Sequence, residues 1–326
     1  MSRNILFTRI FSIVICVLAV ANAIVAQKDE DTTGRSITSL DFQAQRPKSA
    51  GGKAESSVNK SNYANEKRRK NIAVVTSAKR RYNLVKKIAP PIKVAVNARL
   101  KTEELGVTFW RLRAPDADET DAPTFPVKVN NGTENWTAER VSSTTKFKKG
   151  DRVRFTIESS RTGYLYIVNR EFYTDGTSGE AELIFPTLRT RGGDNQVMAG
   201  SLVEIPASTD SVPYFTIKPR RADYAGEELL AIISPAKIPG VELDLRAQAI
   251  THERVHKWLG DWSAKVDVYD AADGEGIAYT LVEAEASTVK SRALTQEEPL
   301  PQTIYRVQIK NDAPLIVLFQ MQALTP

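Results

Sequence analysis

Short runs of apolar residues recur between Phe147 and Pro235, and each run is bounded by Gly, Pro, Asp or Asn. Some of them alternate with polar residues, as in Arg152–Ser159, whereas others are continuous, as in Gly163–Val168. Strand series of this kind, separated by turn residues at close spacing, are typical of antiparallel β domains. The pattern therefore predicts a mainly β (α+β) fold, with an antiparallel β-sandwich-like body.

Strands are also predicted on both sides of this stretch. Leu105–Arg113 alternates and is predicted to be the first strand of the sheet. Near the C-terminus, Thr303–Ile309 and Leu315–Met321 flank a turn at residues 311–312, and they predict a hairpin that closes the same sheet. Because the last of these segments begins with five consecutive apolar residues, we expect a central strand covered on both faces.

Helical spacing replaces the strand pattern after Pro239. Apolar residues that recur on one face predict a helix from about Leu243 to Trp262 and a second one from about Ala278 to Ser291. The return to strands after these helices predicts a single β-rich globular domain over residues 104–326, with two inserted helices.

The first 26 residues have the features of a secretory signal peptide. The basic residues Arg3 and Arg9 precede an uncharged apolar run, Ile10–Ala21, and small residues follow this run. We expect residues 1–26 to be removed and the protein to be exported to the periplasm, the cell envelope or the extracellular space. A retained membrane anchor is the alternative, although the run is short for a span of about 20 residues. The only cysteine, Cys16, lies in this run, so the mature chain is expected to have no disulfide and no cysteine ligand.

A basic segment follows, and residues 27–103 are predicted to be a flexible linker. Between Arg46 and Lys101 there are sixteen Lys and Arg residues against two acidic ones, whereas residues 102–326 have twenty-five against thirty-three. Such a segment is either a solvated linker or a tether to an anionic partner. The expected partner is an envelope protein, a polysaccharide or an anionic lipid surface. Nucleic acid is not expected, because export removes the chain from the cytoplasm and interleaved aromatic residues are lacking.

The order of short motifs within residues 140–235 is more specific than any single motif. It runs GDRVRF, GYLYIV, TDG, LIFP, N-x-V-x-A-G, a strand that ends in IP, and E-x-L-x-A-I-x-S. In this order the chain resembles the bacterial family known as domain of unknown function 4384. The resemblance implies a β-rich envelope module of secreted proteins, and it implies no catalytic residue.

One motif could carry chemistry. Residues 252–256 match H-E-x-x-H, in which two histidines one helical turn apart bind zinc and the glutamate is the general base. These residues are His252, Glu253 and His256, and the chain has no third histidine. A carboxylate would have to be the third ligand, and the candidates are Glu275, Glu283 and Glu285. The apolar face of the predicted helix leaves Glu253 almost opposite the core, which favours an exposed helix without a metal.

Other catalytic signatures fail on spacing. The acidic residues before Gly274 do not alternate as a calcium loop requires, and there is no G-x-S-x-G elbow. We therefore expect no cofactor, no metal and no catalytic residue. The function predicted is an exported, non-catalytic β-rich binding or accessory module of the bacterial cell envelope, and a zinc-dependent hydrolase is the alternative.

Overall fold

The structure is a computed structural model that describes residues 39–48, 84–87, 100–117, 119, 121–271, 274–288, 293–310 and 312–324. All of these belong to one unit, Ile37–Pro326. The predicted signal peptide, residues 1–26, and most of the predicted linker lie outside the described residues. Within those ranges, no helix combines the length and the hydrophobicity needed to cross a membrane.

Strands dominate the described part of the chain, and most are short. In chain order they are β1 (Leu84–Lys87), β2 (Leu100–Arg113), β3 (Thr124–Val129), β4 (Gly132–Val141), β5 (Lys146–Phe147), β6 (Arg152–Ser159), β7 (Gly163–Tyr173), β8 (Ala181–Phe185), β9 (Gln196–Val197), β10 (Leu202–Ile205), β11 (Phe215–Thr216), β12 (Tyr224–Ser234), β13 (Gln248–Ile250), β14 (Val266–Ala271), β15 (Thr303–Lys310) and β16 (Leu315–Ala323). The helices are α1 (Ser39–Ala44), α2 (His252–Trp262) and α3 (Leu281–Thr288).

The strands form two sheets. The first has the order β1-β14-β15-β2-β4-β3. Strand β6 also pairs with β2, and β10 and β11 pair with β6. The second has the order β13-β8-β7-β12-β16-β5, with β9 paired to β7. Among the strand pairs of the described residues, only the two-residue contact of β5 with β16 is parallel. The predicted antiparallel, mainly β fold with inserted helices is therefore confirmed.

The main core lies between the two sheets. Alternate residues of β2, β6 and β15 point inward from the first sheet, and alternate residues of β7, β12 and β16 meet them from the second. Phe319 of β16 marks the contact, because its ring lies 5.6 Å from that of Phe109 and 5.8 Å from that of Tyr305, between ring centroids. The body is thus a β-sandwich in which both sheets supply the apolar surface whose burial stabilises the fold.

Both predicted helices exist, and both begin later than the periodicity suggested. Helix α2 begins at His252 rather than at Leu243, because residues 248–250 form β13 and the Thr251 side chain accepts a hydrogen bond from the Arg254 N–H. Helix α3 begins at Leu281, because Thr280 and Glu283 form a capping box in which each side chain accepts from the other residue's backbone N–H. Val255 and Trp258 of α2 pack on the outer face of the second sheet.

The predicted C-terminal hairpin is wrong. Strand β15 pairs with β2 in the first sheet, with Thr303 opposite Val107, whereas β16 pairs with β12 in the second sheet. The turn between them therefore carries the chain from one sheet to the other. The expected cover on both faces of β16 is also only partly correct. Ile316 packs beneath α2, but Leu318 is exposed because the helix does not extend over it.

Residues 39–48, which were predicted as part of the linker, pack against the body instead. The Arg46 guanidinium makes two hydrogen bonds to the Glu158 carboxylate, at 2.6 and 2.7 Å, and both side chains are almost fully buried. Arg46 also donates to the carbonyl oxygens of residues 295, 298 and 299. Phe42 is buried beside Ile304. A single arginine with complete pairing and one aromatic side chain thus fix a segment whose composition suggested a solvated chain.

Buried ion pairs also hold α3 and its surroundings on the outer face of the first sheet. Arg140 of β4 binds Glu283 of α3 at 2.7 Å, and Arg154 of β6 lies 3.2 Å from Glu204 of β10. The Arg154 guanidinium stacks on the Phe125 ring at 3.8 Å. Each guanidinium has a carboxylate partner, although Nε of Arg140 and Nη1 of Arg154 are buried without a hydrogen-bond partner among the described residues. The ion pairs join separate elements of the first sheet and its covering helix, so we assign them a structural role.

Candidate functional site

The H-E-x-x-H motif lies on α2, at the surface of the second sheet. His252, Glu253 and His256 are all exposed, whereas the residues of the helix that face the sheet are Val255 and Trp258. The sequence-based expectation that Glu253 points away from the core is therefore confirmed. A zinc site on this face would be open to solvent on the side of its general base.

The candidate third ligands do not lie beside these histidines. Glu283 belongs to α3, which covers the first sheet, and its carboxylate is bound by Arg140. Glu285 is on the same helix, and Glu275 accepts a hydrogen bond from Thr145. In the part of the chain that the structure describes, no three His, Cys, Asp or Glu side chains form a group that could hold a metal ion.

We expect purified protein to contain less than about 0.1 zinc per chain, because tight catalytic zinc sites use three protein ligands. Metal content by mass spectrometry, measured for the wild type and for His252→Ala, checks this. The variant is expected to have the same zinc content as the wild type. Stoichiometric zinc that disappears in His252→Ala would favour the hydrolase alternative.

A cavity of about 380 Å³ opens between the two sheets at one end of the sandwich. Its volume is within the range of roughly 300–1,000 Å³ that is usual for small-molecule sites. Strands β6 and β11 line it from the first sheet, and strands β7, β8, β12 and β16 line it from the second. The cavity is therefore a continuation of the space that the main core fills elsewhere.

The floor of the cavity is apolar. The side chains that form it come from both sheets and are Val153, Phe155, Ile184, Phe215, Ile217, Leu229 and Met321. Most of them belong to the main core or pack against it. A ligand with an apolar portion could therefore be buried here without desolvating any charged group on this side.

Two buried glutamates also line the cavity. Glu171 of β7 and Glu227 of β12 are only 7% and 8% exposed, and they are direct partners in the antiparallel register of these strands. Carboxylates that face each other across a strand pair repel one another. Neither side chain forms an ion pair with a Lys or Arg of the described residues, which distinguishes them from the buried glutamates of the first sheet.

Neutral groups hold Glu227 in place. Its carboxylate accepts hydrogen bonds from the Asn169 side-chain amide at 3.0 Å and from the Tyr224 hydroxyl at 3.1 Å. Burial raises the pKa of the Glu227 carboxyl, and these two hydrogen bonds oppose the shift only partly. Burial raises the pKa of the Tyr224 hydroxyl as well. The Oδ1 atom of Asn169 is buried and accepts no hydrogen bond from any described residue.

Glu171 is also bound by neutral donors only. The Tyr173 hydroxyl donates to it at 2.9 Å, and the backbone N–H of Arg220 donates at 3.0 Å. The Arg220 side chain points elsewhere, to Glu182 at the rim, at 2.8 Å. Arg220 therefore lowers the pKa of the Glu227 carboxyl electrostatically without forming an ion pair with either buried carboxylate in the described structure.

The sequence contained a signal for this cavity that the motif search missed. In β12, Glu227 occupies the same inward row as Leu229, and in β7, Asn169 and Glu171 continue the inward row of Ile167. Polar residues on the core row of a strand either need partners or face a cavity. Pairing between β7 and β12, which brings these rows together, could not be read from either strand alone.

The comparisons with known proteins bear on the same part of the chain. No curated protein and no solved structure is significantly similar to the chain. A family match covers less than half of the chain, yet it includes every residue named above as lining the cavity except Met321, which β16 contributes. That match is over residues 146–237, and the family is described as Domain of unknown function (DUF4384), which confirms the resemblance predicted from the order of motifs.

Proposed function

We propose that the protein is an exported, non-catalytic binding module of the bacterial cell envelope, and that it binds a small ligand or ligand group in the cavity between its sheets. The single observation that carries this proposal is the cavity itself. It combines an apolar floor with a few convergent polar groups, which is the usual composition of a ligand site.

The position of the cavity supports a binding role more than a catalytic one. It contains carboxylate and amide groups, and no histidine or cysteine is among the described residues that line it. Among the described residues, neither buried glutamate is hydrogen-bonded to a serine or a threonine that it could activate as a nucleophile. The groups present can orient and neutralise a ligand, and they do not form a nucleophile–base pair.

Export and the basic segment form the second half of the proposal. The apolar run after Arg9 supports removal of the leader on export. The excess of Lys and Arg between residues 46 and 101 supports contact with an anionic envelope component, such as a polysaccharide, a lipid surface or an acidic protein. In this arrangement the basic segment holds the module near its surface while the cavity remains open to the ligand.

Binding of a neutral apolar fluorophore tests the cavity directly. N-phenyl-1-naphthylamine is expected to bind saturably and to lose at least about tenfold in affinity in Ile184→Trp, because the added ring fills the apolar floor. Thr216→Phe, which also adds an aromatic ring at the lining, is expected to act in the same direction. Fluorescence titration measures both effects.

The matched control is Leu281→Trp, which adds the same side chain at an exposed position of α3. It is expected to bind the fluorophore like the wild type. Thermal transitions show that the variants are folded. Absence of saturable binding to the wild type, or equal binding by Ile184→Trp and the control, would contradict the proposed function.

A further inference from the structure

We propose that the ligand of this cavity is an apolar organic cation, whose ammonium group lies between Glu171 and Glu227 while its apolar portion contacts the floor. This inference rests on the proposed function and adds the chemical class of the ligand. It is carried by the arrangement of charge around the cavity.

The register of the strands places two acidic side chains side by side. Glu171 and Glu227 are direct neighbours across β7 and β12, both are more than nine-tenths buried, and neither has a cationic partner in the described structure. By contrast, the next pair in the same register, Arg170 and Glu228, is complementary and forms an ion pair at 2.6 Å. The charge of Glu228 is thus neutralised directly by Arg170 on one face of the ladder. On the cavity face, Lys218 and Arg220 belong to the lining, but neither forms an ion pair with Glu171 or Glu227 in the described structure.

The polar side of the cavity has hydrogen-bond acceptors that remain available to a ligand. Each glutamate oxygen can accept more than one hydrogen bond, and the Oδ1 atom of Asn169 accepts none from the described residues. An ammonium group has three donors and no acceptor. It therefore matches a site whose unused capacity consists of acceptors, whereas a carboxylate or phosphate ligand would add acceptors and negative charge to it.

The apolar floor favours an organic cation over an inorganic one. A hydrated inorganic cation would gain nothing from Phe155, Phe215 and Leu229, which face the same space. An organic cation uses both sides, because burial of its apolar portion supplies affinity and the paired carboxylates supply specificity. The aromatic rings also offer contact to a cation that approaches the floor.

Occupation of the site is expected to depend on pH through Glu227. The groups around it are Tyr224 on its own strand, Asn169, Glu171 and Tyr173 on β7, and Met321 on β16. Lys218 and Arg220 line the same cavity from the segment between β11 and β12. Burial and Glu171 raise the pKa of the Glu227 carboxyl, while Arg220 lowers it. A cation requires the ionised carboxylate, so its affinity increases as the pH rises through this pKa, and binding releases a proton.

A series of three ligands of the same shape tests the charge. We expect 3-phenylpropylamine to bind roughly tenfold tighter than 3-phenylpropan-1-ol near pH 7.5, and 3-phenylpropanoate to bind more weakly than both. Isothermal titration calorimetry in two buffers of different ionisation enthalpy measures affinity and proton release together. The comparison uses wild-type protein, so it does not depend on the folding of a variant.

Glu227→Gln keeps the shape of the side chain and removes its charge. In this variant the preference for the amine over the alcohol is expected to fall to within about threefold, and the pH dependence of amine binding is expected to flatten. Glu228→Gln is the matched control, because Glu228 is the next residue on β12 and faces the other side of the sheet. It is expected to retain the wild-type preference.

The outcomes separate this inference from the proposed function. If the alcohol and the neutral fluorophore bind but the amine is no tighter, the cation inference is wrong and the cavity still binds ligands. If none of them binds, the proposed function fails. Calcium chloride alone is the last probe, because carboxylate and amide oxygens are also calcium ligands. A calcium-induced rise in the thermal transition that Glu227→Gln abolishes would replace the organic cation by a metal ion.

Discussion

A chain that ends at Lys310 is expected not to fold, although it retains the whole DUF4384 match. The truncation removes β16, which pairs with β12 from Gly226 to Ile233. It also removes five large side chains from the cores, namely Leu315, Ile316, Val317, Phe319 and Met321. Burial of one such side chain contributes about 1.5–3 kcal/mol. The total loss is therefore comparable to the whole stability of a typical domain, about 5–15 kcal/mol.

Circular dichroism and the thermal transition of the truncated chain measure this result. Phe319→Ala is the milder variant and is expected to lower the free energy of unfolding by about 3–5 kcal/mol, since the ring fills the space between the sheets. Leu318→Ala, the exposed neighbour on the same strand, is expected to change it by less than about 0.5 kcal/mol. A soluble truncated protein with a cooperative transition near that of the full chain would show that the rest of the body folds without β16.

Replacement of Arg46 by Ala is expected to lower the free energy of unfolding by about 3–5 kcal/mol near neutral pH, the usual effect of leaving one buried charge without its partner. Arg46 is the only described cation bound to Glu158, and both side chains are almost completely buried. Chemical denaturation measures the loss. Lys48→Ala, an exposed position of the same segment, is expected to have almost no effect.

The free energy of unfolding that Arg46→Ala removes is expected to depend on pH. Burial raises the pKa of the Glu158 carboxyl and Arg46 lowers it, so Arg46→Ala raises this pKa further. A group whose pKa is raised in the folded state binds more protons there than in the unfolded chain. Its contribution to stability is complete below the ordinary glutamic acid pKa and is lost as the pH rises through the folded value. The difference in free energy of unfolding between the wild type and Arg46→Ala is therefore expected to be smaller at about pH 4 than at about pH 8.

The double variant separates charge from packing. In a Glu158→Gln background, Arg46→Ala is expected to be much less destabilising and nearly independent of pH, because no buried carboxylate remains. Equal losses in both backgrounds would show that Arg46 acts through packing of its segment alone.

The sequence by itself determined the elements that depend on local chemistry. Alternation of apolar and polar residues placed strands such as β6 and β8 at their observed bounds, because successive side chains of a strand point to opposite faces of the sheet. The order of motifs identified the family over the stretch that the family match covers. Helical periodicity found α2, but only the cap at Thr251 fixed where it begins.

The tertiary structure alone decided how these elements combine. The apolar run of β16 requires burial, yet nothing local specifies that it pairs with β12 instead of its neighbour β15. Likewise, nothing in the sequence distinguishes Arg46 from the other basic residues of its segment. Its role follows from its hydrogen bonds to Glu158 and to three carbonyl oxygens, all distant in the chain. The cavity depends on contacts of the same long range, because Glu171 and Glu227 become neighbours only when β7 and β12 pair. Pairing between distant strands is set by the free energy of the whole sandwich, and that is why the sequence pattern gave the strands but not the site.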